Sequence, residues 1–287
     1  MNVLIKLKNN AKSDYTIKFV DKSLTHLSKH ADLNSPEQVK QFIANKPTSN
    51  SHKKNLCFAY NQYCKYYKIE WQQPFYRQEP KTIRIPTTTQ IDMLIANSRK
   101  IMSVKLTLSK ETGLRPIELC RLKVKDIDLT QRIVYPTTAK HGAPRALKIS
   151  TNLQEMLIAH VDEHKLNPTD KLFKGDAENY GKYYRKHRNK LAERLHKPEL
   201  KTIRLYDFRH YFATRLYSKT RDILLVKQQL GHRKIETTLI YTQLLNLNDD
   251  EWTCKATNDK KEIMQLIENG FEYHDEIDGY KLYRKRK

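Results

Sequence analysis

Apolar residues recur at helical spacing through most of this chain. Between residues 15 and 27 they fall at Tyr15, Ile17, Phe19, Val20, Leu24 and Leu27, close to one face of a helix. A turn over 32–35 followed by Pro36 marks a helix start, and Val39, Phe42 and Ile43 then form a stripe. A third helix begins near Ser49 to Ser51. It carries Leu56, Ala59, Tyr60, Tyr63 and Tyr67, with Lys53, Lys54, Lys65 and Lys68 around them. Interleaved Tyr and Lys suit a nucleic-acid backbone, or equally a core stripe edged by snorkelling lysines. From Gln72 the periodicity stops. Pro74, Pro80 and Pro86 punctuate a polar, basic stretch, which predicts a linker over 79–86 between a helical domain, 1–78, and a larger one, 87–287.

The larger part predicts helices over 89–96, 102–108 and 116–122. A strand-rich interval follows. The runs 124–127, 132–135 and 145–149 read as a hairpin within a three-stranded antiparallel sheet, with 137–144 as a connection. Helical spacing returns over 153–160, 180–195, 207–217 and 223–230. The tail predicts a helix over 260–268 stopped by Gly270, then a hairpin turning at Asp278-Gly279. The fold class is mainly α with a small antiparallel β-sheet in the second domain.

Composition narrows the partners. The chain has 287 residues, with 54 Lys and Arg against 32 Asp and Glu, a formal charge of +22. Such an excess repels itself in a compact protein. It could serve solubility, an acidic membrane, an acidic protein, or a polyanion whose counterions are released on binding. The basic residues run through the whole chain rather than one tail, which favours nucleic acid. No apolar run approaches the roughly 20 residues of a spanning helix, and the amino end does not read as a secretion signal. A cytoplasmic, DNA-associated protein is expected. The cysteines, Cys57, Cys64, Cys120 and Cys254, form no CxxC pair or zinc-ligand spacing and read as neutral thiols in a reducing compartment.

There is no phosphate-binding glycine loop, HExxH or GxSxG, and no dense carboxylate cluster suited to a two-metal nuclease. A basic DNA-processing enzyme of this kind manages phosphoryl charge with Arg, Lys and His. Three segments supply them. Arg115 follows Gly113, precedes a proline suited to the first helical turn, and has Glu118 one turn on to orient it. Arg209 lies beside the apolar stripe Phe208, Phe212 and Leu216. His232 follows the helix-breaking Gly231, and Tyr241 comes nine residues later. A helix cap with a surface arginine, a packed salt bridge and a packing tyrosine, one among 17, are the plain alternatives.

Taken together, TGLRPIEL, TAKHGAPRALKI, YDFRHYFAT and LGHRKIETTLIYT resemble the tyrosine recombinase family, the phage-integrase and Xer-like site-specific recombinases, in its archaeal or mobile-element forms. The resemblance covers about residues 89–244, in order. It implies a two-domain DNA clamp whose helical amino-terminal part crosses one face of double-stranded DNA. It implies that Arg115 and Arg209 hold the scissile phosphate, Lys140 protonates the leaving 5′ oxygen, and His232 hydrogen-bonds the phosphate or assists proton transfer. Tyr241 would attack phosphorus to leave a 3′-phosphotyrosyl bond, with no metal, ATP or other cofactor. A homo-oligomer on DNA, a tetramer in the synapse, follows for site-specific recombination or integration. A recombinase-like protein that binds DNA without cutting is the alternative. One position departs from the pattern: Tyr206 stands where the motif has a histidine. A phenol, with a reference pKa near 10, is a poor neutral-pH base. The proton acceptor for Tyr241 then passes to His232 or to the phosphate itself. His210 adjoins Arg209, and neighbouring helical residues point about 100° apart, so it is not expected to fill the vacancy.

Overall fold

Four helices build the amino-terminal unit: α1 (Asn2–Asn9), α2 (Asp14–Ser28), α3 (Pro36–Asn45) and α4 (Asn50–Tyr67). The computed structural model describes residues 2–78, 83–139, 142–243, 252–277 and 279–286. Ser13 and Ser49 cap α2 and α4, each accepting from a backbone N–H three residues on. The core holds Leu27, Val39, Ile43, Leu56, Cys57 and Tyr60. Tyr60 is fully buried and donates to the Leu33 carbonyl at 2.8 Å, whereas Tyr67 is exposed. The aromatic stripe of α4 is therefore core on one edge and surface on the other.

The chain divides into compact units at Thr82/Ile83. The second unit starts with α5 (Thr88–Ala96), α6 (Lys100–Thr112) and α7 (Pro116–Leu119). Helix α6 is buried on several faces. Val104 and Leu108 enter one apolar cluster with Leu119, Val134, Leu147 and Leu157, while Leu106 enters another with Ile91, Leu94, Tyr184 and Phe208. Even Lys105 is buried, its ammonium 5.0 and 4.9 Å from the ring centroids of Phe173 and Tyr180, a cation–π arrangement. Helix α7 is a single turn and ends before the expected residue 122.

Strands β1 (Ile127–Asp128), β2 (Ile133–Val134) and β3 (Leu147–Lys148) form the three-stranded antiparallel sheet, with Ile127 opposite Val134 and Val134 opposite Leu147. Each is only two residues long. Helices α8 (Thr151–Glu163), α9 (Ala177–Arg194), α10 (Asp207–Thr220), α11 (Ile223–Leu230) and α12 (Glu236–Gln243) follow.

The tail contains a second sheet that local pattern foretold only in part. β4 (Trp252–Thr257), β5 (Glu272–Ile277) and β6 (Tyr280–Arg286) lie in the order β4-β6-β5, with α13 (Lys260–Glu268) between β4 and β5 in sequence. The hairpin is β5–β6. Gly279 holds its turn at φ 78°, and Asp278 lies outside the described residues. β4 was not predicted, because its partner is distant in sequence: Thr253 pairs with Lys285 and Thr257 with Lys281. No described helix is long and apolar enough to cross a membrane. Cys57, Cys64 and Cys120 are buried and Cys254 is exposed, all as free thiols.

Candidate active site

Helix α10 organises the site because it is buried nearly all round: Asp207, Phe208, Arg209, His210, Tyr211 and Ala213 are all buried. Phe208 and Tyr211 face the α5–α6 core, and Ala213 faces a cluster with Val226, Leu230 and Tyr241. A helix enclosed this way gives each consecutive side chain a different neighbour.

Arg209 is completely buried and meets helix ends. The carbonyls at a helix C-terminus lack intrahelical partners. Gly113 ends α6 at φ 60°, and its carbonyl accepts from Arg209 Nη1 at 2.8 Å. Leu230 ends α11, and its carbonyl accepts from Nη2 at 2.7 Å. Nη2 also donates to His232 Nε2 at 3.0 Å. Nε is buried with no partner among the described residues. Burial, and next the charge of Arg115, push the Arg209 pKa down to about 10, so it stays cationic at neutral pH.

Arg115 precedes α7 in extended conformation, with Pro116 as the first helical residue. Its Nη1 donates to Glu118 Oε1 at 2.8 Å, and its backbone N–H to Oε2 at 3.0 Å. Glu118 is wholly buried and also accepts from the Ala139 N–H at 3.1 Å and Arg145 Nη2 at 2.6 Å. Burial opposes its charge. The Arg145 hydrogen bond and charge, with the two backbone donors, outweigh that and bring its pKa to about 2.

Arg145 was absent from the expected set. Its parity was the available signal: Arg145, Leu147 and Ile149 are buried, while Ala146 and Lys148 are exposed. A charge at an inward position of an alternating strand needs a buried partner, and Glu118 is that partner. Lys140 lies outside the described residues, as does His141. The described residues on either side are tied. Ala139 N–H reaches Glu118, and Ala143 N–H donates to the Gly231 carbonyl at 3.1 Å.

Gly231 stops α11 at φ 66°, a left-handed conformation. A Cβ there would lie 2.8 Å from both the Ala143 carbonyl oxygen and Arg145 Nη1. Gly231→Ala should therefore destabilise the protein by about 1–3 kcal/mol, read by urea denaturation. An unchanged midpoint would show that this junction relaxes freely.

His232 uses both ring nitrogens. With Nε2 accepting from Arg209, the neutral ring carries its proton on Nδ1, which donates to Thr238 Oγ1 at 2.9 Å. Burial, then Arg209 and Arg115, lower its pKa to about 4. Thr238 and Tyr241 are three apart on α12 and share its buried face. Tyr241 is buried, and its hydroxyl lies 3.2 Å from His210 Nδ1. Burial raises the phenol pKa to about 12, against the pull of Arg209 and Arg115.

His210 is thus the ring beside the Tyr241 oxygen, contrary to the expectation from its place next to Arg209. The 100° step is real, but α12 packs on the side to which that step points. Tyr206 is 42% exposed and meets His210 edge-on, with centroids 5.1 Å apart. Arg115, Tyr206, His210, His232 and Tyr241, with Gly142, Arg233 and Lys234, line one open pocket of about 370 Å³. Among the described residues, no group of three or more His, Cys, Asp or Glu could hold a metal ion.

This mainly helical fold with small antiparallel sheets is the fold of the tyrosine recombinases. The integrase of transposon Tn1549, solved with transposon right-end DNA, superposes with a TM-score of 0.64 at 16% identity, over 84% of this chain and 93% of that one. The crystal structure of XerA recombinase gives 0.50 at 22%, over 94% and 98%. In sequence, the chain is 29% identical to tyrosine recombinase XerA of Saccharolobus solfataricus over 65% of its length and 61% of the relative's. For XerA of Pyrococcus horikoshii the identity is 26%, over 66% of each. These alignments span just under two thirds of the relatives' length. The profile of the phage integrase family matches residues 85–247, and the chain belongs to that family.

Proposed function

We propose that this protein is a site-specific recombinase that cuts and rejoins double-stranded DNA through a covalent bond to Tyr241. The observation that carries the reading is a single pocket lined by Arg115, His232 and Tyr241, with buried Arg209 bonded to His232. The Arg115 guanidinium on the pocket wall, with the Arg209 charge buried behind it, suits a phosphodiester whose non-bridging oxygens gain charge in the transition state. Glu118 holds Arg115 by two hydrogen bonds, which fixes that donor before substrate arrives. Tyr241 Oη attacks phosphorus and the 5′ oxygen departs, leaving a 3′-phosphotyrosyl ester and a 5′-hydroxyl. Lys140, from its family position, protonates that oxygen. Tyr206 meets the phosphate from the pocket wall, and His232, lining the same pocket, braces Arg209. The ester conserves the bond energy, so rejoining by a 5′-hydroxyl needs no ATP, and the cations do the charge work a metal would do.

Helix α12 packs Tyr241 against Ala213, Val226 and Leu230 of its own chain, which supports attack on DNA held by the same subunit. Exchange between two duplexes breaks four strands in all, so four such tyrosines, a tetramer in the synapse, are the natural assembly. The amino-terminal unit, with exposed lysines along α4, adds backbone contacts whose strength falls with salt.

The test begins with a nicked duplex whose sequence is selected from a randomised pool by binding to the full chain. Incubated in EDTA and run on a denaturing gel, the wild type should retain the fragment ending in the 3′ phosphate and release one with a 5′-hydroxyl. Tight binding without an adduct would instead establish a DNA-binding protein that does not cut.

A further inference from the structure

We propose that His210 takes the proton of Tyr241: its Nδ1 receives the phenolic hydrogen as the oxygen attacks phosphorus. This rests on the reading of Tyr241 as nucleophile. The geometry assigns the role by position and by exclusion. His210 Nδ1 is 3.2 Å from Tyr241 Oη, within reach of a direct transfer. His232 is committed on both sides, accepting from Arg209 and donating to Thr238. Tyr206 touches the site through its ring edge against His210 and brings a phenol where a base is needed.

The step balances. The Tyr241 O–H bond breaks and an N–H bond forms on Nδ1, while the oxygen bonds to phosphorus and the 5′ oxygen leaves with a proton from the lysine side. On rejoining, the 5′-hydroxyl returns its proton to the lysine side as its oxygen attacks the phosphotyrosine, the phosphorus–tyrosyl oxygen bond breaks, and the departing phenolate oxygen recovers its proton from His210. The proton is stored on a buried ring in between, so no exchange with solvent is required.

The surroundings fit a base that is neutral before attack. Burial and the charges of Arg204 and Arg209 hold His210 below the ordinary histidine range, while the buried Asp207 carboxylate acts the other way. Tyr241 on α12 and Tyr206 at the start of α10 face the ring, and Arg115, His232, Arg233 and Lys234 line the same pocket. Asp207 steadies the imidazolium that forms, and the phosphate and nascent phosphotyrosyl group place negative charge on its other side. The vacancy left by Tyr206 is filled from the next turn of the same helix.

The experiment uses the selected nicked duplex and single-turnover adduct formation across pH. A second duplex carries sulfur as the 5′ bridging atom, a leaving group that needs no proton. His210→Asn keeps a hydrogen-bonding atom near Tyr241 but accepts no proton. It should bind both duplexes as the wild type does and form adduct about 10²- to 10⁴-fold more slowly, with the full deficit on the sulfur duplex too. The wild-type rate should fall as pH drops through the His210 pKa, a limb missing in the variant. In His210→Ala, added imidazole should restore adduct formation while weakly basic pyrazole does not. Wild-type rates in His210→Asn would overturn the assignment. So would rescue of that variant by sulfur, which would place His210 on the leaving-group side. Absence of adduct with the wild-type protein would instead sink the nucleophile reading beneath it.

Discussion

Tyr241→Phe protein should bind the selected duplex as tightly as the wild type and give no protein–DNA adduct. The substitution removes one oxygen and leaves the ring in its cluster with Ala213, Val226 and Leu230. The fold loses one hydrogen bond, to His210 at 3.2 Å, a change of about 1 kcal/mol. On the proposed mechanism the chemistry loses its nucleophile, so the rate should fall on the order of 10⁴-fold or more. Burial places the phenol pKa near 12. At pH 7 the hydroxyl is then protonated, and on the proposed mechanism its proton leaves during attack. The check is the denaturing gel, with binding measured on the same samples. An adduct that persists in the variant would remove Tyr241 from the mechanism and place the nucleophile elsewhere.

Glu118→Ala should be the most damaging single change for the fold of the site. Its carboxylate is the shared partner of Arg115, Arg145 and the Ala139 N–H. The Arg145 side chain is fully buried, and among the described residues its Nε and Nη1 have no partner. Without Glu118 it becomes an uncompensated buried charge, a loss of about 3–5 kcal/mol. Urea denaturation should show the fall, and adduct formation should fall with it, because Arg115 and Ala139 lose their anchor. Full stability would mean that Arg145 finds solvent or another acceptor. The same carboxylate predicts acid sensitivity. Its pKa drops from an ordinary 4.5 to about 2 on folding. A depressed carboxylate stabilises the fold fully above its unfolded value. That stabilisation, on the order of 3 kcal/mol, should be lost as pH falls from about 4.5 to about 2. Glu118→Gln should flatten this part of the pH–stability profile.

Most helices were legible because their signals are local, although α1 and α12, the helix that carries Tyr241, were not predicted. The stripe of α2, Pro36 at the start of α3 and the glycines after α6 and α11 each act within one or two turns. Whereas the run 124–127 is a 3-10 turn over Val124–Asp126 and joins the sheet only at Ile127, the β2–β3 hairpin was legible for the same reason, through alternating and β-branched runs about one connection. β4 was not, because six residues of mixed character become a strand only when β6 arrives from some thirty positions away. The pairing of Arg115 with Glu118 could be read from a one-turn spacing. The pairing of Glu118 with Arg145 could not, although inward parity hinted that Arg145 needed a partner.

By itself, then, the sequence determined the family, the helical scaffold and the ordered text that singles out Arg115, Arg209, His232 and Tyr241. Only the tertiary structure decided which groups touch. Arg209 is held by carbonyls at the ends of two other helices, which no spacing within its own motif encodes. His210 faces Tyr241 because α10 is enclosed on nearly every side and α12 covers the flank a lone helix would show to water. Local sequence fixes the angle at which a side chain leaves its helix. What waits in that direction is set by packing between segments far apart in the chain.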